Sequence, residues 1–153
     1  MIYTDKTKKA MEIMVRQHKN QTDKSGLPYI LHPWLVAEHQ IDEVRTIVAL
    51  LHDVVEDTNM TLEDIKNEGF SDEVVEAIRL LTHNPDEEYL DYINNISNNE
   101  IALDVKLEDL KHNSQITRLN NITDIDIERA ERYKKYLEYL ENKKIEKNKR
   151  TIK

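Results

Sequence analysis

The sequence predicts an all-α fold, a bundle of about seven or eight helices, and three observations carry that prediction. Only two glycines and three prolines occur in 153 residues, too few breaks for a turn-rich β architecture. Apolar residues recur at spacings of three and four in one segment after another, which is the pattern of helices buried on one side. No stretch alternates apolar and polar residues as a half-buried strand would, and there is no internal repeat or low-complexity linker.

The elements follow in order. Thr4 to Lys19 places Ala10, Ile13, Met14 and Gln17-His18 at helical spacing. Asn20 to Leu27 is a polar loop holding one glycine. Tyr29 to Gln40 is expected to be helical, with Pro33 in the first turns, where proline is tolerated. Asp42 to Val55 is strongly apolar on one face through Val44, Ile47, Val48 and Leu51. Thr61-Leu-Glu-Asp64 reads as a capping box with Asp at its fourth position, starting a short helix that Gly69 ends. Ser71 opens another in the same fashion, running to about Thr82. Asn84-Pro85-Asp86 is a turn, and helices are expected near 88–96, 98–120 and 126–145.

Length predicts one domain with a real core. Apolar residues make up 39% and charged residues 34%, a soluble composition. The absence of cysteine excludes disulfides and thiolate zinc sites. No run is long and apolar enough to span a bilayer, and the N-terminus has no signal-peptide apolar region, so no membrane association and a cytoplasmic location are expected. The net charge is −8, yet residues 143–153 carry about +5, which leaves about −13 on residues 1–142. That division sets 1–142 apart as the compact domain and 143–153 as a basic C-terminal tail. An acidic body argues against general nucleic-acid binding. The tail has the charge to touch polyanions, although such tails are more often frayed, solvated helix ends.

The chemistry concentrates in Ala49-Leu-Leu-His52-Asp53-Val-Val-Glu56-Asp57-Thr58. A histidine and an aspartate stand together at the end of an apolar helical run, with two carboxylates one turn later. Four ionisable groups packed against apolar residues are costly unless something cationic neutralises them, and a divalent metal is the simplest answer. His32, in Pro28-Tyr-Ile-Leu-His-Pro33, and Asp109, in Val105-Lys-Leu-Glu-Asp-Leu-Lys-His-Asn113, complete a candidate set of His32, His52, Asp53 and Asp109. Imidazole with carboxylate and no thiolate suits Mn²⁺, Fe²⁺, Co²⁺, Ni²⁺ or Zn²⁺ better than Mg²⁺. This spacing matches no short motif, and the alternatives stand beside it: a histidine at a helix end is often a cap or a packed core residue, and Asp-Leu-Lys is often solvated surface. Asp109 and Asn113, four apart, share one helix face.

The chain resembles the HD-domain hydrolases of the RelA/SpoT type, and specifically the stand-alone small alarmone hydrolases. The matching runs are Gln21–Pro33, Ala49–Thr58 and Val105–Asn113, in the family's order across roughly residues 5 to 140. The resemblance implies an HD-domain helical bundle. It implies that His32, His52, Asp53 and Asp109 bind a metal, commonly Mn²⁺, with Zn²⁺, Fe²⁺, Co²⁺ or Ni²⁺ as alternatives. It implies that Glu56 and Asp57 serve catalysis and that Asn113 lines the site. Tyr133 matches a family tyrosine near the substrate sugar, and it equally fits the apolar stripe of the last helix. His18 is expected to pack, His39 and His83 to lie on the surface, and His112 to pack or to neighbour a phosphate.

Two positions depart from the family pattern. Leu110 stands where larger members commonly carry arginine. Asp23-Lys24 replaces an Arg-Lys pair whose arginine packs on the guanine ring of the alarmone. Lys24 remains available for a phosphate, while Asp23 removes guanidinium stacking and adds negative charge near the expected base pocket. The expected function is therefore metal-dependent hydrolysis of a small-molecule nucleotide, first of all release of pyrophosphate from guanosine 3′,5′-bis(diphosphate), ppGpp. The alternatives are the same chemistry on another phosphoester, such as NADPH or a nucleoside phosphate, and a non-catalytic nucleotide-binding module.

Overall fold

The computed structural model describes residues 1–153 as nine helical segments: α1 (Asp5–Gln17), α2 (Leu31–Glu38), α3 (Glu43–Leu51), α4 (Val54–Asp57), α5 (Leu62–Asn67), α6 (Asp72–Leu81), α7 (Tyr89–Ser97), α8 (Glu100–Asn113) and α9 (Asp124–Thr151). Segment α4 is a single turn of 4 residues, so the all-α bundle has the expected size. The β-type pairing is confined to one isolated antiparallel bridge, Thr22 to Pro28.

Capping explains where the helices begin. Thr4, Asp42, Thr61, Ser71, Asn99 and Thr123 each accept a backbone N–H of the first turn through their side chains, satisfying donors that have no partner within a helix. The Thr61–Asp64 capping box forms as the sequence implies. Gly69, at φ 92°, takes the left-handed conformation that stops α5 without a Cβ clash.

Helix α3 is the central strut and packs on α1, α2, α6 and α8. Every residue from Thr46 to Leu51 is buried. Ile47, Leu50 and Leu51 join Ile13, Ile65, Ile78, Ile93, Ile96, Leu110 and Leu140 among the largest fully buried side chains. Leu110 is therefore a core side chain.

Three boundaries differ from expectation, each for a local reason. The helix expected over 42–55 breaks at His52-Asp53. His52 Nδ1 lies 2.6 Å from the Ala49 carbonyl, the acceptor that an unbroken helix would give to the N–H of residue 53. The backbone ladder resumes with the Asp57 N–H to the Asp53 carbonyl at 2.9 Å. Helix α8 ends at Asn113 rather than near 120. The following stretch is rich in Ser, Thr and Asn, which bond to nearby backbone in non-helical forms, and the Ser114 hydroxyl does so, donating to the Lys111 carbonyl. Helix α9 instead continues past 142 to Thr151. There Lys144 pairs with Asp104 at 2.7 Å, Arg45 of α3 reaches the other Asp104 oxygen at 2.6 Å, and Lys147 donates to the Ser97 carbonyl. The basic segment thus begins as a docked continuation of the bundle.

Candidate metal centre and the two adjoining pockets

His32 sits near the start of α2, His52 and Asp53 at the α3–α4 junction, and Asp109 on α8. The bundle brings all four together. His52 and Asp109 are buried, as is His32, and Asp53 is partly buried. The contact of His52 Nδ1 with the Ala49 carbonyl requires the ring proton on Nδ1, which leaves Nε2 as the free nitrogen. That Nε2 is buried without a hydrogen-bond partner. It lies 3.1 Å from Asp53 Oδ2 and 3.6 Å from Asp109 Oδ1. His32 Nε2 lies 3.0 Å from Asp109 Oδ1 and 3.6 Å from Asp53 Oδ2.

Two imidazole nitrogens and two carboxylate oxygens therefore converge on one point, and lone pairs so arranged require a positive charge between them. The electrostatics carry the same message. Burial alone would lower the His52 pKa, but Asp53 and Asp109 outweigh it and hold it well above the ordinary histidine value. Burial alone would raise Asp109, but Lys106, followed by His32 and His52, holds it well below the usual carboxylate range. An orphaned buried nitrogen within a mixed imidazole–carboxylate donor set, with no thiolate, fits a divalent metal ion.

A ring of partners orients these donors. The Tyr29 hydroxyl donates to Asp53 Oδ2 at 2.5 Å. Lys106 Nζ donates to Asp109 Oδ2 at 2.7 Å, and Asn113 Nδ2 donates to Asp109 Oδ1 at 2.8 Å. His32 Nδ1 lies 2.6 Å from His112 Nδ1. Such outer partners fix ring orientation and carboxylate direction around a metal.

Asp53 also belongs to a second cluster. A ligand atom of each of Asp53, Glu56 and Asp57 lies within 4.8 Å of the others, as is also true of His32, His52 and Asp109. Glu56 and Asp57 open into an acidic pocket of about 500 Å³ that Asp53, Asp109, Asn113 and Lys106 also line. Burial raises the carboxyl pKa of both, and Asp53 raises them further. The backbone N–H of His83 donates to Glu56 Oε1 at 2.7 Å. His83, expected on the surface, is half-buried at this pocket, because the turn after α6 folds over Glu56.

On the far side of His32 and Asn113 lies a second cavity, of about 380 Å³. Leu27, Leu35, Ile116 and Leu119 supply apolar wall, and Asp23, Lys24, Arg118, Asp126 and Arg129 supply charge. Tyr29, Asn113 and Tyr133 line both spaces and form the divide between them. Asp23 has a structural task here. Its Oδ1 accepts the Ser25 N–H at 2.8 Å and the Leu27 N–H at 3.0 Å, closing the turn in which Gly26 takes φ 77°. Lys24 is 3.7 Å from Asp126 at the rim, so it and Asp23 line this cavity and not the acidic pocket.

Of the residues singled out from the sequence, His32, His52, Asp53 and Asp109 meet at one centre. Glu56, Asp57 and Asn113 border the same acidic pocket, Tyr133 stands on the divide, and Asp23 and Lys24 lie beyond it. His18 packs against Tyr29 and bonds Gln21 through Nδ1 at 2.7 Å, as expected of a packed histidine. Sequence reading passed over Tyr29, Lys106 and Arg118. For Lys106 a signal existed: a lysine three residues before Asp109, flanked by Val105 and Leu107.

Similarity to known proteins agrees with this geometry. The chain is 46% identical over 74 residues to the guanosine-3′,5′-bis(diphosphate) 3′-pyrophosphohydrolase of Borreliella burgdorferi, covering 46% of this chain and 11% of that protein. It is 38% identical over 84 residues to the protein of the same name from Aquifex aeolicus, covering 52% of this chain and 12% of that one. The chain thus spans about a tenth of the length of these curated relatives. The fold also matches a solved structure of a metazoan ortholog of SpoT, described as hydrolysing ppGpp and playing a role in starvation responses. There the TM-score is 0.70 at 24% identity, over 94% of this chain and 87% of the other. A family model described as HD domain matches residues 10–141. Since that match runs from α1 into α9 and encloses every donor to the histidine–aspartate centre, the chain is a member of the HD domain family, of the RelA/SpoT type.

Proposed function

We propose that this chain is a divalent-metal-dependent phosphohydrolase that releases pyrophosphate from the 3′ side of guanosine 3′,5′-bis(diphosphate). The observation that carries the reading is the buried, partnerless Nε2 of His52 among three further donors, beside a pocket lined by two further carboxylates, Glu56 and Asp57. The names of the relatives from Borreliella burgdorferi and Aquifex aeolicus support the substrate. In this reading His32, His52, Asp53 and Asp109 hold the ion. Mn²⁺ is the proposed metal, with Zn²⁺, Fe²⁺, Co²⁺ and Ni²⁺ as the other ions the donors suit. No helix is long and apolar enough to cross a membrane, and a cytoplasmic enzyme acting on a soluble nucleotide is proposed.

A divalent metal held there supplies Lewis acidity toward a phosphate oxygen and toward water. The chain's own groups divide the remaining work. Glu56, fixed by the His83 N–H, accepts the proton of the attacking water, and Asp57 returns a proton to the leaving 3′ oxygen. A raised carboxyl pKa suits both tasks, because it brings proton affinity closer to neutral pH. Lys106 takes Asp109 Oδ2 and Asn113 donates to Oδ1, which fixes the carboxylate plane with Oδ1 toward the centre. Tyr133, on the divide, supports the sugar, and the apolar cavity receives the base.

One observation favours a second reading. Asp23 stands where the family's base-stacking arginine would be, so the chain has lost a guanine contact, and the same chemistry could serve another phosphoester such as NADPH. The test is a pyrophosphate- and phosphate-release screen of ppGpp, its adenine counterpart and NADPH with Mn²⁺, Zn²⁺ and Mg²⁺. Pyrophosphate released preferentially from ppGpp with Mn²⁺ is the expected result. Phosphate released from NADPH with no turnover of ppGpp would replace the first reading by the second.

A further inference from the structure

We propose that Arg118 is the specificity-determining cation of the apolar cavity, and that it binds an anionic group on the side of the nucleoside remote from the metal centre. The inference rests on the nucleotide phosphohydrolase reading and deepens it. It requires a substrate with negative charge at both ends of the nucleoside, one end for the metal side and one for Arg118.

The charges of the cavity other than Arg118 are committed, either to each other or to nearby backbone N–H groups. Lys24 Nζ lies 3.7 Å and Arg129 Nη1 4.0 Å from the same oxygen of Asp126. The other Asp126 oxygen accepts the N–H and hydroxyl of Thr123 at the start of α9. Asp23 is held by the Ser25 and Leu27 N–H groups. Arg118 differs, for it pairs with no carboxylate, and its guanidinium touches only the ring nitrogens of His112. That ring is already engaged, its Nδ1 lying 2.6 Å from His32 Nδ1. A neutral imidazole offers one acceptor nitrogen, so His32 and Arg118 compete for it and most of the five guanidinium donors stay free. A phosphate would satisfy them with paired, charge-assisted bonds that an imidazole cannot match.

The position suits the role. Arg118 is exposed on the loop between α8 and α9, and its carbonyl accepts the Ser25 hydroxyl at 3.4 Å, which ties this loop to the one carrying Asp23. A base lying on Leu27, Leu35 and Leu119 would turn one end of its sugar toward Asn113 and Tyr133 and leave the other beside Arg118. His112 and His32 stand between Arg118 and the metal centre, so the two anionic groups are read separately.

The experiment is calorimetric titration of the Mn²⁺-loaded protein and its Arg118→Gln and Arg118→Lys variants with guanosine 5′-diphosphate, guanosine and inorganic pyrophosphate. Arg118→Gln should weaken guanosine 5′-diphosphate binding about tenfold and leave guanosine and pyrophosphate unchanged, with Arg118→Lys intermediate because it keeps charge and loses the fork. Equal affinity of the diphosphate for wild type and Arg118→Gln overturns the proposal. So does a parallel loss of pyrophosphate affinity, which would mean that Arg118 acts through His112 on the metal side. Failure of the enzyme to release pyrophosphate from any nucleotide, with the Arg118 difference intact, would instead refute the phosphohydrolase function while preserving the anion subsite.

Discussion

The acidic pocket and the apolar cavity share a wall of Tyr29, Asn113 and Tyr133 and are built on opposite principles. The metal side is made from helices, and each of its donors is held by at least one further group: Asp53 by Tyr29, Asp109 by Lys106 and Asn113, His52 by the Ala49 carbonyl, His32 by His112. The cavity side is made from two loops and the first turns of α9, and there Lys24 and Arg129 both reach Asp126, at 3.7 and 4.0 Å, at a solvent-exposed rim. Exposed pairs of that kind hold geometry weakly. Chemistry is thus over-determined in this molecule and recognition is not. Substitutions at the metal centre should therefore cost far more than substitutions across the wall.

The largest effect should follow His52→Ala. Metal content measured after dialysis and turnover should disappear together, beyond the roughly 10–100-fold that outer partners of a metal site cost. Full metal occupancy in that variant would break the assignment of the centre. Next comes Glu56→Gln, which keeps shape but cannot accept a proton. It should retain metal and lose about 10²–10⁴-fold in kcat; normal turnover with metal lost would reverse the roles of Glu56 and the ligands.

Lys106→Met should act through Asp109, weakening metal affinity about 10–100-fold. It carries a signature that loss of packing would not. Lys106 lowers the Glu56 pKa, which the pocket walls and the neighbouring carboxylates raise. Without the lysine the charged form of Glu56 is less favoured, so the acidic limb of kcat/KM should move to higher pH, measured at saturating metal. An unmoved limb would confine Lys106 to a structural part.

The smallest effect belongs across the wall. Asp23→Arg should lower KM for ppGpp about two- to thirtyfold by restoring ring stacking, with kcat nearly unchanged because the contact is the same in ground and transition states. The structure adds a cost, since the Ser25 and Leu27 N–H groups lose their acceptor, and Tm should fall slightly. Strong guanine selectivity in the wild type that Asp23→Arg leaves untouched would show that base reading lies elsewhere in the cavity.

The same contrast governs what could be read from the sequence. His52-Asp53 was legible because two ionisable residues at the end of an apolar helix are costly to bury without a charged partner, and Asp109 with Asn113 because spacing four is a helix face. The break at His52 was not legible, since it depends on a side chain taking the Ala49 carbonyl, and apolar periodicity runs through it undisturbed. Lys106 reads as a solvated charge until Asp109 draws it inward. The tethering of Asp23 is local and the Asp-Lys-Ser-Gly turn hints at it. The isolation of Arg118 is visible only once Lys24 and Arg129 are seen to share Asp126 and Asp23 to be held by backbone N–H groups. Helix periodicity carries the scaffold, whereas loop pairings are long-range and leave no period.

The origin of the four metal donors also bears on stability. They come from α2, the α3–α4 junction and α8, three separated stretches of the chain. An ion that engages all four has no comparable site in the unfolded chain, so its binding free energy adds to that of folding. At free metal a hundredfold above its dissociation constant the linkage is worth about 2.7 kcal/mol, a substantial share of the stability of an ordinary domain. The ion then acts as a removable cross-link of the bundle, and a chelator would lower the melting temperature as well as the rate.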